Sequence, residues 1–357
     1  MLERLHLDRP LFYALVILST IGLAVVYSAG GENGDMVMRH GLRLILGFSV
    51  MIALAQVHPK TIARWSPWLF AAGFLLLVAV LAAGTVSNGA RRWLGFGAVR
   101  FQPSEIMKLA LPMMLAWYLA KDSLPVKFRH LLVSGVIILL PGLLIIKEPD
   151  LGTAFLVTAT GFMVLFLAGM GWRTIIVMFA SAGAAIPVLW GHMHQYQRQR
   201  IYVLFHPESD PLGIGYHTIQ GMIAVGSGGL IGKGWLHSTQ AHLDFLPQSS
   251  TDFIFAVFSE EFGWVGVLAL VSLYLFIVYR GMLIAYHAQD TYARLLAGGL
   301  TLVFFLYFFV NMSMVAGLLP VVGVPLPLIS YGGTSILTLM AAFGMLMSIH
   351  SHRSIVA

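Results

Sequence analysis

The sequence predicts an all-α polytopic membrane protein: ten transmembrane helices, with a large extracytoplasmic loop between helices 7 and 8. Three observations carry this. Hydrophobic residues make up 58% of the 357 and charged residues only 10%, whereas a soluble domain covers itself with roughly 25% charge. A mean hydropathy of +0.84, with 23 Phe, 12 Tyr and 8 Trp, is the reverse of a disordered chain. Ten apolar segments approach the ~20 residues that cross hydrocarbon as a helix. They are continuous, without the alternation of a barrel strand.

The first segment, Leu11 to Ser28, follows ten residues and has no small-residue cleavage site after it, so it reads as a retained span and not a signal peptide. Leu42 to Val57 and Trp68 to Val86 are the second and third. Span four, Pro103 to Ala120, opens on Gln102-Pro103-Ser104-Glu105, with proline and an acid where a first helical turn favours them. Lys108 shares a face with Glu105, either as an ion pair that lowers the cost of insertion or as the polar floor of a headgroup site. Spans five and six, Leu131 to Ile146 and Leu151 to Met170, meet at Lys147-Glu148-Pro149-Asp150. Asp150 suits an N-cap, and with Glu148 it could equally shape a charged cavity opposite Arg91 and Arg92.

Span seven, Trp172 to Trp190, precedes residues 191–251, a stretch of 61 that exceeds an ordinary connection. Its apolar, Gly-rich Met222 to Leu230, its Trp235 and its balanced charges argue for order. Arg198 and Arg200 at its start suit a phosphate or an anionic headgroup. Span eight, Phe253 to Tyr279, follows Ser249-Ser250-Thr251-Asp252. Asp252 there reads as a helix cap or as a general base, and the two are compatible. Glu260 and Glu261 point about 100° apart and read as a polar contact to a neighbour such as Asn311 or Ser313. Ala293 to Gly317 and Tyr331 to Ile349 complete the set.

An even number of spans puts both termini on one side, and the denser Lys and Arg of the short loops makes that side cytoplasmic. Ser87 to Gln102, with Arg91, Arg92 and Arg100, breaks the pattern on the outer face. The net charge of +6 is scattered singly, which excludes a nucleic-acid partner. With no cysteine, disulfides and thiolate chemistry are excluded. The run Gly226 to Gly234 fails the phosphate-loop pattern at Ser227 and Gly234, although its amides and Lys233 could line a pyrophosphate site. The histidine pairs lack a metal-ligand spacing.

Taken together, several motifs resemble the SEDS family along the whole chain. They are Gln102-Pro103-Ser104-Glu105 with Lys108, Glu148 to Thr153, Gly226 to Gly229 with Gly232-Lys233-Gly234, Asp252 to Phe255 with Glu260-Glu261, and Pro325 to Gly333. The short lead before the first span is similar to the family's elongation branch. The resemblance implies a single membrane domain over 1–357 that polymerises lipid II into a glycan strand on the outer face of the bacterial cytoplasmic membrane. It implies Asp252 as the essential acid, with Glu105, Lys108 and Asp150 around a polar cavity. Trp93, Arg91, Arg198, Arg200, Lys233, Gln248 and Ser249 are expected to bind substrate. A divalent cation (Mg or Mn) without a defined ligand set is implied, and no organic cofactor. A class B penicillin-binding protein and other elongation-complex membrane proteins are the implied partners. A lipid II flippase, or a scaffold holding a transpeptidase, would carry the same buried charges without needing a base.

Overall fold

The computed structural model describes residues 6–87, 90–96, 99–122, 124–193, 195–210, 213–243, 245–246 and 248–352. The long helices are α1 (Arg9–Ala29), α2 (Gly34–Ala55), α3 (Pro59–Ala83), α4 (Pro103–Leu119), α5 (Phe128–Lys147), α6 (Leu151–Leu167) and α7 (Trp172–His192). After α8 (Gln195–Phe205), α9 (Ile214–Ser227) and the short α10 (Thr239–His242) come α11 (Ile254–Tyr286), α12 (Thr291–Val315) and α13 (Thr334–Ser351). The protein is thus an all-α polytopic membrane protein. Among the described residues, seven helices are long and apolar enough to cross a bilayer: α1, α2, α3, α5, α11, α12 and α13. Two of the other expected spans, α4 and α6, are shorter, with 17 residues each, about 26 Å.

Helix starts follow local chemistry. Asp8, Asn33, Asp150 and Asp290 cap α1, α2, α6 and α12 by accepting backbone N–H bonds. α2 and α3 begin eight and nine residues before the expected positions, because Asp35, Arg39, Lys60 and Arg64 mask their first turns from a hydropathy reading. The loop expected at Ser87 to Gln102 contains an antiparallel meander of β1 (Thr85–Ser87), β2 (Ala90–Phe96) and β3 (Val99–Phe101).

α12 is the central helix. It packs on α11, α6, α4 and α13, while α2 pairs with α13 and α3 with α4. Its buried face joins the main apolar core through Leu296, Phe304 and Met314, yet it also carries fully buried Asn311. Polar groups concentrated there, against Lys108 and Glu105 of α4, need partners.

α11 is interrupted at Gly263, whose φ of 60° and ψ of −164° are open only to glycine. The break frees backbone groups that no lipid could satisfy. Trp264 N and Val265 N donate to the carbonyls of Gly229 and Leu230 at 3.0 and 3.1 Å, and Lys233 N and Gly234 N donate to those of Glu260 and Glu261, both at 3.0 Å. The segment 229–234 is therefore a backbone wedge set into α11. Here the structure departs from the expected contact with Asn311 or Ser313. Glu260 accepts from Lys233, Ser238, Thr239 and Gln240, and Glu261 accepts from Ser28 and from Leu236 N.

Candidate functional site

A polar cleft of roughly 350 Å³ opens between β2, α4, α6, α12 and the turn before α11. Its floor is Glu105 and Lys108, both buried. Lys108 Nζ donates to Glu105 Oε1 at 2.5 Å and lies 4.4 Å from the centre of the Tyr307 ring. The cation is thus held between a carboxylate and an aromatic face. Glu105 Oε2 has no hydrogen-bond partner among the described residues.

On one wall Asp150 is both cap and lining. Its Oδ1 accepts from Thr153 N at 3.1 Å. Its Oδ2 faces Arg92 Nη1 and Gln102 Nε2, each at 3.5 Å. Arg92 Nη2 donates to the Pro149 carbonyl at 3.0 Å, which ties the meander to the turn between α5 and α6. Behind it Glu148 is 1% exposed, and its carboxylate oxygens lack partners among the described residues. Burial first, then the Asp150 charge, push its carboxyl up to about 8 against the pull of Arg92.

Opposite stands Asp252. Phe253, not Asp252, is the cap residue of α11, and no side chain caps that helix. The backbone around Asp252 is latched to the stretch 320–333. Asn311 Nδ2 donates to the Asp252 carbonyl at 2.8 Å and to that of Val324 at 2.7 Å. The Ser330 hydroxyl donates to the Thr251 carbonyl at 2.6 Å, and Tyr331 N to that of Ser250 at 2.9 Å. Gln248, at a left-handed φ of 58°, closes the turn by accepting from Thr251 N and Phe253 N at 3.0 and 3.3 Å. Burial pushes the Asp252 carboxyl up to about 6, with Arg200 opposing. Arg200 itself donates to the Val321 carbonyl at 3.0 Å. A carboxyl raised toward neutrality thus shares one cleft with a buried lysine, the kind of pairing found where acid–base chemistry is done.

The family profile FTSW_RODA_SPOVE, described as cell cycle protein, matches residues 8–355. The chain belongs to this family. It is 49% identical to the peptidoglycan glycosyltransferase MrdB of Escherichia coli (strain K12), over 99% of this chain and 96% of that one. A solved structure described as "Structural coordination of polymerization and crosslinking by a peptidoglycan synthase complex" is similar at a TM-score of 0.85 and 28% identity, covering 98% and 99% of the two chains. The rod shape determining protein RodA of Thermus thermophilus is similar at 0.74 and 26%, covering 98% of each. The chain is a multi-pass inner-membrane protein of the FTSW_RODA_SPOVE family.

Within this family member the cleft gathers Trp93, Glu105, Lys108, Asp150, Gln248 and Asp252 from the residues expected from sequence. Others stand apart. Lys233 Nζ is 2.6 Å from Glu260 Oε1, fastening the wedge. The Ser249 hydroxyl donates to the Ala29 carbonyl at 3.0 Å. Arg198 Nη2 donates to the Gly191 carbonyl at 2.9 Å. The side chain of Arg91 lies outside the described residues, although its backbone belongs to β2. Tyr307, Gln102 and the Asn311 and Ser330 latch were not expected at the site. Gln102 and Ser330 lay within motifs of the resemblance, Asn311 stood out as an amide inside an apolar span, and Tyr307 gave no signal. Among the described residues no three His, Asp or Glu side chains gather as a metal-ligand set. Glu105 and Asp150 face Lys108 and Arg92, respectively.

Proposed function

We propose that this cleft is the site where lipid II is polymerised, with Asp252 as general base. The chain is a peptidoglycan glycosyltransferase of the RodA, FtsW and MrdB type, acting in cell elongation and shape. The C4 hydroxyl of the acceptor N-acetylglucosamine attacks the anomeric carbon of the donor N-acetylmuramic acid from the face opposite its pyrophosphate. The new C–O bond forms as the anomeric carbon–pyrophosphate bond breaks, with inversion. The hydroxyl proton passes to Asp252, and undecaprenyl pyrophosphate leaves with the electron pair. One carboxylate suffices because pyrophosphate departs without being protonated. Lys108, Arg92 and Arg200 receive its charge.

The observation that carries this reading is a partly buried acid, raised to about 6, lining one cleft with a buried lysine. A divalent cation, Mg or Mn, would supply further positive charge to the departing pyrophosphate. α4, α6 and α7 join those seven helices as spans, which gives ten, with both termini cytoplasmic and the cleft and the loop over 191–251 extracytoplasmic. A class B penicillin-binding protein receives the glycan, alongside other elongation-complex membrane proteins. The test is the purified chain with lipid II and no nucleotide: glycan polymer is expected on a gel, and headgroup crossing in vesicles without polymer would contradict it.

A further inference from the structure

The wedge at Gly263 has an outer surface that the catalytic reading does not use. Its inner side is packed backbone to backbone: a Cβ on Gly232 would lie 2.1 Å from the Glu261 carbonyl oxygen, and one on Gly263 would lie 2.4 Å from Gly232 N. Its outer side presents Leu230 at 74% and Ile231 at 84% exposure. Two large aliphatic side chains held out by so rigid a loop are costly in water.

Neighbouring elements mark the same level. Residues 254–261 of α11, before the break, are all buried, whereas Trp264 just after it is 57% exposed and Val265 and Leu268 are exposed too. α11 therefore runs inside protein up to Gly263 and meets its surroundings beyond it. The 23 residues from Trp264 to Tyr286, about 35 Å of helix, suffice to span hydrocarbon. Ser28, in the last turn of α1, reaches Glu261, so the break is level with the end of a neighbouring span. Trp235 Nε1 donates to the Ala24 carbonyl of α1 at 3.2 Å, leaving its ring partly exposed. Tryptophan with one polar tether and one apolar face belongs to the membrane interface.

We propose that the 229–236 wedge is an interfacial lipid anchor, with Leu230 and Ile231 inserted among the headgroup-proximal methylenes of the acyl chains beside Trp235 and Trp264, at the level where α11 breaks. The occupant is bilayer lipid, because this apolar surface is continuous with the membrane-facing side of α11. Lys233, turned back onto Glu260, leaves the tip uncharged.

The absence of cysteine from the chain makes the test direct. Ile231→Cys carries an NBD label in full-length protein reconstituted in phosphatidylethanolamine/phosphatidylglycerol vesicles, with Glu208→Cys, at an exposed site, as the aqueous control. Lipid bearing a spin label high on its acyl chain should quench the label at 231 about twofold or more over the 208 control, and iodide should quench it less than at 208. Equal iodide quenching at the two sites, or no response to spin-labelled lipid, would overturn the proposal. So would stronger quenching from a label near the bilayer centre. Should the Ile231 variant elute aggregated, Leu230→Cys gives the same readout.

Discussion

At the residue scale, the burial of Asp252 carries a cost in stability. Its carboxyl is raised by burial from 3.8 to about 6, so the folded state favours the protonated form, and ionisation costs stability as pH rises from the unfolded to the folded value. Asp252→Asn removes that cost. The variant should melt higher than the parent at pH 8, by up to roughly 3 kcal/mol of stability, with the gain vanishing below about pH 4; equal melting at both pH values contradicts the burial argument. The same shift gives kcat/KM for polymerisation an acid limb near pH 6, because only the ionised carboxylate accepts a proton. An acid limb at 4 or below would mean a solvated acid. Sequence named Asp252 and left cap and base open; the fold gives the capping position to Phe253. Tyr307 was not legible, since a tyrosine in a Phe-rich span looks the same whether it faces lipid or lies under a lysine.

At the element scale, α11 is two helical pieces joined by one glycine. Gly263→Ala places a side chain at positive φ and drives its Cβ into the wedge backbone. The folded state should be destabilised by at least about 2 kcal/mol, read as a lower melting temperature in detergent, and an unchanged melting temperature would refute the wedge geometry. Periodicity and hydropathy found the span but not its break, because Gly263 sits within a long apolar helix and its effect depends on a loop some 30 residues earlier in sequence. The meander at 85–101 was hidden for a similar reason. Its strands are short, and their pairing shows in no apolar pattern.

At the scale of the whole molecule, a chain with 10% charge gathers acids and bases from distant parts of the sequence around one cleft. The row of apolar helices was legible because hydrocarbon imposes length and continuity. Helix ends were not, because interfacial Arg, Lys and Asp extend helices beyond their apolar cores, as in α2 and α3. The membership of the cleft followed from resemblance for Glu105, Lys108, Asp150 and Asp252, while Lys233 and Ser249 turned out to secure the loop instead. The account stands on Asp252 taking the acceptor's proton. The direct measurement is glycan formation from lipid II by purified Asp252→Asn beside the parent, with folding checked by gel filtration and melting temperature. A folded variant that makes no polymer is predicted, and robust polymer from it would contradict the account.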